Sequence, residues 1–286
     1  MAERSTPWRP QLVALDIDGT LLTWIEGSGQ TAEVLPARVY DAVHAARGAG
    51  AHIVLASGRS PDGMTRIADL LDLPSEGADR LWVVASNGAV VFRYPPVDVV
   101  MEQTFDARAG VAAVLKHHPN AIVAVEERGN GYRVNRPFPP GELSGEMTIC
   151  SVDEIVADPV SRVIIRDPEA TAEDFVDLMT RLGLHGTDYV VGWSAWLDLS
   201  PVGVSKASGV EHVCAQLGVH AADVLAIGDG RNDIELLGWA GRGVAMGQAI
   251  DVVRAAADHV TLPVYDDGAA VELERWFGRS GRAIDG

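Results

Sequence analysis

Apolar residues along this chain follow two rhythms. In one, short continuous runs stop abruptly at polar residues: Leu12-Val13-Ala14-Leu15 runs into Asp16, Ile53-Val54-Leu55-Ala56 into Ser57, and Val224-Leu225-Ala226-Ile227 into Gly228-Asp229. Runs this short and this apolar predict strands buried on both faces. In the other, apolar residues recur at helical spacing, as in Val210, Val213, Cys214 and Leu217. Strands are predicted at 12–16, 52–56 and 81–85. Helices are predicted over 36–47, after a loop at Gly27, Ser28 and Gly29, and from Pro61, with Ile67, Leu70 and Leu71 on one face.

After Asn87-Gly88 the pattern changes. Residues 89–105 read as extended, 106–117 as a helix, and 121–127 with 132–135 as a hairpin around Gly129-Asn130-Gly131. A Pro/Gly-rich stretch, 136–141, leads to a strand at 160–166, a helix at 172–182 and paired strands at 188–192 and 195–199. From Ser205 the first rhythm resumes and ends in a helix over 268–277, while the first eight residues and the tail from Arg279 carry no pattern and are expected to be disordered. Alternating strands and helices predict a parallel sheet covered by helices. The expected fold class is therefore α/β. A Rossmann-like parallel sheet with helices on both faces is built from 1–88 and 198–286, and an α+β unit is inserted over 89–197.

The strand ends carry the chemistry. Asp16 and Asp18 stand two residues apart, a spacing that points both side chains of a strand to one side. Two ionised carboxylates at ~4 Å repel by about 4 kcal/mol at an effective dielectric of about 20, a cost that a divalent cation or a shared proton relieves. Oxygen ligands of this kind suit Mg2+, which is commonly held by one or two carboxylates plus phosphate and water. Alone, the same residues also describe a strand running into an Asp-Gly turn.

The other strand ends add to the picture. Ser60 suits an N-cap and Pro61 the first helical position. Ser57 and the backbone N–H groups around Gly58 then lie where a hydroxyl and a helix N-terminus can hold an anion. Lys206 falls in the first turn of a helix, where the macrodipole disfavours a cation, so it needs either solvent or an anionic partner. Alone it reads as a solvated surface lysine. Asp229 closes the third strand and can join the Asp16/Asp18 cluster, whereas Asn232 and Asp233 stand at a helix start, where capping is the ordinary role. In an open α/β sheet the carboxyl ends of the strands share one rim, and ligands bind there.

Composition narrows the partners. At 286 residues the chain can form two domains, and its net charge of −17 disfavours nucleic acid and anionic membrane surfaces. A phosphorylated substrate would need a locally positive pocket. No signal-like N-region precedes the first strand, no apolar run approaches the ~20 residues that span a bilayer, and Cys150 and Cys214 are too far apart in sequence to suggest a disulfide framework or zinc site. A cytoplasmic protein is expected.

Taken together, Asp16-Ile17-Asp18-Gly19-Thr20, Ser57-Gly58-Arg59, Lys206 and Gly228-Asp229-Gly230-Arg231-Asn232-Asp233 resemble the four ordered motifs of the haloacid dehalogenase-like superfamily. Ser86-Asn87-Gly88 and Val244-Ala245-Met246-Gly247 add similarity to its Cof-type branch, subfamily IIB, which carries a large cap where this chain has its inserted unit. Ala207 and Gln248 depart from the branch, which usually has glycine and asparagine there.

The resemblance implies an Mg2+-dependent phosphatase acting on small phosphorylated metabolites, chiefly sugar phosphates, through an aspartyl-phosphate. It gives Asp16 as nucleophile and Asp18 as general acid and base. Asp16, Asp18 (through its backbone carbonyl) and Asp229 would bind metal, while Ser57, Gly58 and Lys206 hold phosphate. Asn232 and Arg59 would meet substrate, and Asp233 would support these groups. Cap residues Glu126, Glu127, Arg128, Arg133 and Asn135 are candidates for leaving-group contact, and Trp193 and Trp196 for packing. The chain is expected as a monomer or homodimer. A phosphomutase and a non-catalytic phospho-ligand-binding protein remain open as alternatives.

Overall fold

The computed structural model describes residues 8–25, 30–32, 34–73, 80–127, 131–140, 142–143, 145–182, 188–191 and 195–278. The expected loop at Gly27–Gly29, Arg128, Trp193, the tail from Arg279 and all but Trp8 of the first eight residues lie outside the described residues.

Among the described residues two large sheets organise the chain, beside a two-stranded pair of Trp24–Ile25 with Gln30–Thr31. The larger has eight strands in the order His259–Val260, Arg242–Ala245, Val224–Gly228, Leu12–Leu15, His52–Ala56, Leu81–Ala85, Val90–Tyr94 and Asp98–Glu102. The first six run parallel, and Leu12 aligns with both Val224 and His52 in register. Alternation across the central strand explains its continuous apolar run. Val13 and Leu15 enter one core cluster with the helices Ala37–Gly48, Pro61–Leu70 and Gly268–Phe277, while Leu12 and Ala14 enter another with Lys206–Leu217 and Ile234–Trp239. Ser60 caps the Pro61 helix by accepting from Gly63 N. One detail of that helix differs from expectation: Ile67 and Leu71 are buried, but Leu70 is 41% exposed, because its neighbours already fill the stripe that faces the sheet.

The smaller sheet has six strands in the order Glu146–Ile149, Gly131–Val134, Ile122–Glu127, Val163–Arg166, Trp196–Ser200 and Asp188–Val191. All pairs are antiparallel except Glu146–Ile149 with Gly131–Val134. The helices Arg108–Leu115 and Ala172–Leu182 contribute Val111, Val114, Phe175, Leu178 and Met179 to the core under one face. The other face carries a smaller cluster, including Ala124, Tyr132, Val134 and Ile164, and the same side meets the large-sheet unit through Glu126, Arg162 and Asp198. The strand Glu146–Ile149 and the helix Val152–Ile155, which Ser151 opens with a reciprocal Ser–Glu cap, fall in a stretch where the sequence pattern predicts no element.

Sheet membership does not follow the expected limits of 89 and 197. Val90–Tyr94 and Asp98–Glu102 extend the large sheet as antiparallel edge strands, and Trp196–Ser200 belongs wholly to the small one. Extended residues were legible at 89–105, but the sheet they pair with is decided by long-range hydrogen bonds that no local pattern carries. Both connections between the sheets pass one spot. Gln103 N donates to Ala89 O at 2.9 Å. Next to it Gly88, at φ +101°, lies so close to Ser205 that a Cβ would fall 2.0 Å from the Ser205 carbonyl oxygen.

Candidate active site

Three strand ends meet at the carboxyl rim of the large sheet. Asp16 follows Leu12–Leu15, Ser57 follows His52–Ala56, and Asp229 follows Val224–Gly228. Asp16, Asp229 and Asp233 are buried, and each offers a carboxylate oxygen within 4.8 Å of the others. Lys206 is fully buried beside them, its Nζ 2.6 Å from Asp16 Oδ1 and 2.7 Å from Asp233 Oδ1. The lysine that would read alone as a surface residue thus has the anionic partners its position demands.

The other oxygens are also engaged. Thr20 Oγ1 donates to Asp16 Oδ2 at 3.2 Å, and Asp233 Oδ2 accepts from the backbone N–H groups of Asp229 and Gly230 at 3.1 and 2.9 Å. A Cβ on Gly228 would lie 2.4 Å from Asp233 Cγ, so only glycine lets the strand end lie against that carboxylate. Burial raises the Asp16 carboxyl well above the ordinary range, and the nearby Asp233 and Asp229 carboxylates push the same way against the pull of Lys206. Burial would lower the Lys206 ammonium, but Asp16 and Asp233 hold it above its usual value.

Asp18 occupies a different place from the one expected of a metal cluster built on the tips of Asp16, Asp18 and Asp229. Its carboxylate accepts from Arg59 Nη2 at 2.6 Å and Nε at 2.9 Å, a forked ion pair at the mouth of the site. Asp233 stands in the cluster instead. Its place at a helix start reads as a cap, and it does bond the preceding backbone, but its second oxygen is turned to Lys206.

The anion loop lies alongside. Ser57 is buried, its Oγ accepts from Arg59 N at 3.2 Å, and its carbonyl accepts from Asn87 N at 3.1 Å. Asn232 Nδ2 donates to Asn87 Oδ1 at 2.9 Å. Ser86 and Asn87 both take left-handed backbone conformations, φ 50° and 54°, which carry the chain sharply past the loop. Gln248 reaches three partners: its Nε2 donates to Gly19 O at 2.6 Å and Asp229 Oδ2 at 3.2 Å, and its Oε1 accepts from Val264 N at 2.9 Å.

From the small sheet, Glu126 Oε2 accepts from Ser86 Oγ at 2.7 Å, and Asp198 Oδ2 accepts from Asn87 Nδ2 at 3.3 Å. Glu127 follows Glu126 in the strand, whereas Arg133 bonds the Glu154 carbonyl and Asn135 bonds the backbone of Val123 and Ala121, both within the small sheet's own unit. Trp196 packs edge-on against Phe138 at 5.9 Å. Thr20, Arg162 and Asp198 were not singled out from the sequence. Thr20 lay in plain view beside Asp18-Gly19, but Arg162 and Asp198 had no signal beyond being charged residues at the margins of apolar strands.

Comparison with known proteins agrees with this geometry. Residues 13–273 match the family of haloacid dehalogenase-like hydrolases. A phosphoglycolate phosphatase of Natronomonas pharaonis is 32% identical over 265 residues, covering 92% of this chain and 96% of that protein. A 5-amino-6-(5-phospho-D-ribitylamino)uracil phosphatase of Bacillus subtilis is 25% identical, with 93% and 95% covered. Among solved structures, a subclass IIB sugar phosphatase shares the fold at a TM-score of 0.76 and 23% identity, over 93% of this chain and 98% of that one. A phosphatase from Bacteroides thetaiotaomicron gives 0.73 at 25% identity, with 96% and 98% covered.

Proposed function

We infer the function from one premise: the chain belongs to the family of haloacid dehalogenase-like hydrolases. We propose that it is an Mg2+-dependent phosphatase that hydrolyses small phosphorylated metabolites, chiefly sugar phosphates, in the cytoplasm. The observation that carries this reading is the buried group of Asp16, Asp229 and Asp233 around Lys206, next to the loop that carries the Ser57 hydroxyl. No described helix is long and apolar enough to cross a membrane.

The donor set fits a hard divalent cation. Asp16 and Asp229 close neighbouring strands at the rim and are the carboxylates that would hold Mg2+, Asp16 turning an oxygen from Thr20 or Lys206 to do so, while Asp233 stays on Lys206 and two backbone amides. When bound, the ion supplies charge neutralisation between the attacking carboxylate and the phosphoryl group.

The chain's own residues do the rest. Asp16 attacks phosphorus, forming an aspartyl-phosphate as the ester oxygen departs. Thr20 and Lys206 orient the attacking carboxylate, and Lys206 together with Ser57 and the backbone at Gly58 balances charge on the transferring oxygens. Asp18, once it has taken up a proton and let go of Arg59, gives that proton to the leaving oxygen and regains one from the water that cleaves the intermediate. The small sheet, poised over this rim through Glu126, Arg162 and Asp198, acts as the cap that chooses the leaving group.

The test is Asp16→Asn. Wild-type protein with Mg2+ is expected to release phosphate from 4-nitrophenyl phosphate and to stop when the metal is chelated. The folded variant is expected to be inactive, and normal turnover by it would refute the assignment. Isomerised sugar phosphate without phosphate release would instead indicate a mutase.

A further inference from the structure

One buried cation plays no part in the steps above. Arg162 lies at the end of the small sheet, paired with Asp198 on the neighbouring strand: Nε is 2.7 Å and Nη2 2.6 Å from Asp198 Oδ1, with side-chain exposures of only 6% and 12%. Removing both charges from water is costly, and apolar residues of similar size could fill the same volume, so packing alone does not call for this pair.

Its third contact lies across the junction between the sheets. Arg162 Nη1 donates to the carbonyl of Gly58. That carbonyl shares a planar peptide with Arg59 N, which donates to Ser57 Oγ at 3.2 Å. Holding the carbonyl toward Arg162 therefore turns the N–H toward Ser57.

The opposite side of the loop is held by the same pair. Asp198 Oδ2 accepts from Asn87 Nδ2, Asn87 Oδ1 accepts from Asn232, and Asn87 N donates to the Ser57 carbonyl. A Cβ on Gly58 would stand 3.0 Å from Asn87 Oδ1, so the loop is gripped closely between Asn87 and Arg162.

We propose that Arg162, oriented by Asp198, is a positioning residue for phosphoryl transfer: it fixes the Gly58–Arg59 peptide, so that the inserted unit acts on the phosphate site through the loop backbone and independently of the leaving group. The proposal rests on the phosphatase reading given above.

The experiment uses the Mg2+-loaded full chain and compares Arg162→Gln, Arg162→Lys and Asp198→Asn. Two esters with unlike leaving groups serve as substrates, 4-nitrophenyl phosphate and a hexose 6-phosphate, with inorganic phosphate as competitive inhibitor. Arg162→Gln is expected to lower kcat by about 10- to 100-fold, by the same factor for both esters. It should also weaken inhibition by inorganic phosphate, while Arg162→Lys restores part of each.

A loss confined to one ester, with phosphate inhibition unchanged, would make Arg162 a leaving-group contact and overturn the proposal. Kinetics equal to wild type would overturn it too. If Arg162→Gln does not fold, Asp198→Asn keeps the cation and the side-chain shape and carries the same expectation. A wild-type protein inactive on every ester would instead refute the phosphatase reading. The positioning claim would then be decided by calorimetric binding of inorganic phosphate, weakened in Arg162→Gln if right and unchanged if wrong.

Discussion

The ammonium of Lys206 stands 2.6 Å from Asp16 Oδ1, with the two side chains 0% and 5% exposed. The pair joins the first turn of one helix to the end of the central strand, 190 residues away in sequence. With Asp233 as its second partner, Lys206 balances charges that would otherwise face each other in a dry site.

Lys206→Met keeps the length of the side chain and removes the charge. Breaking a buried ion pair by deleting one partner costs about 3–5 kcal/mol. The variant is expected to lose stability of that order at neutral pH, read by denaturant unfolding, and to be inactive. Unchanged stability would mean that the carboxylates do not rely on this cation.

Gly228→Ala places a methyl group 2.4 Å from Asp233 Cγ. Something has to move, and Asp233 is the nearest side chain. The expected outcome is a stability loss of about 1–3 kcal/mol, with a fall in kcat larger than the change in KM. Steady-state kinetics alongside thermal unfolding separates the two effects.

Gln248→Asn shortens a side chain that reaches Gly19 O, Asp229 Oδ2 and Val264 N at once. A shorter amide cannot keep all three contacts from the same backbone position. Partners that orient ligating carboxylates are typically worth about 10- to 100-fold in metal affinity. Half-activation by Mg2+ is therefore expected to shift to higher concentration by up to that factor, with the melting temperature little changed.

Glu126 gives a pH signature. Burial raises its carboxyl above the ordinary 4.5, while the Ser86 hydroxyl and Arg162 oppose the rise; Tyr132 is a further ionisable neighbour. A carboxyl whose folded value is raised binds its proton more tightly in the native state. Its contribution is thus favourable below 4.5 and is lost as pH climbs through the raised value. Glu126→Gln is expected to flatten this part of the stability–pH curve, measured by denaturant midpoints across the weakly acidic range.

How much of this was readable from the chain depends on what each residue's signal was made of. Apolar runs ending at Asp16, Ser57 and Asp229 located the strands and their rim, because burial on both faces leaves a continuous local imprint. The helix dipole names the need of Lys206 for an anion, yet only the fold shows Asp16 and Asp233 meeting that need. Asp18 looked like a partner for Asp16 on strand spacing, whereas the chain turns after Leu15 and the carboxylate goes to Arg59. Arg162 and Asp198 pair across neighbouring strands and reach Gly58 and Asn87, which lie 104 positions from Arg162 and 111 from Asp198 respectively, a relationship with no local pattern at all.

The crowding of Ala89, Gln103 and Ser205 around Gly88 bears on how such a chain can vary. A segment whose two ends are tied at a single point imposes no span on the rest of the molecule. It can therefore lengthen, shrink or be exchanged like a graft on a rootstock, so long as Arg162 and Asp198 still reach the loop beneath. Gly88 is the knot in that arrangement, and any larger residue there would have to pull the two ends apart.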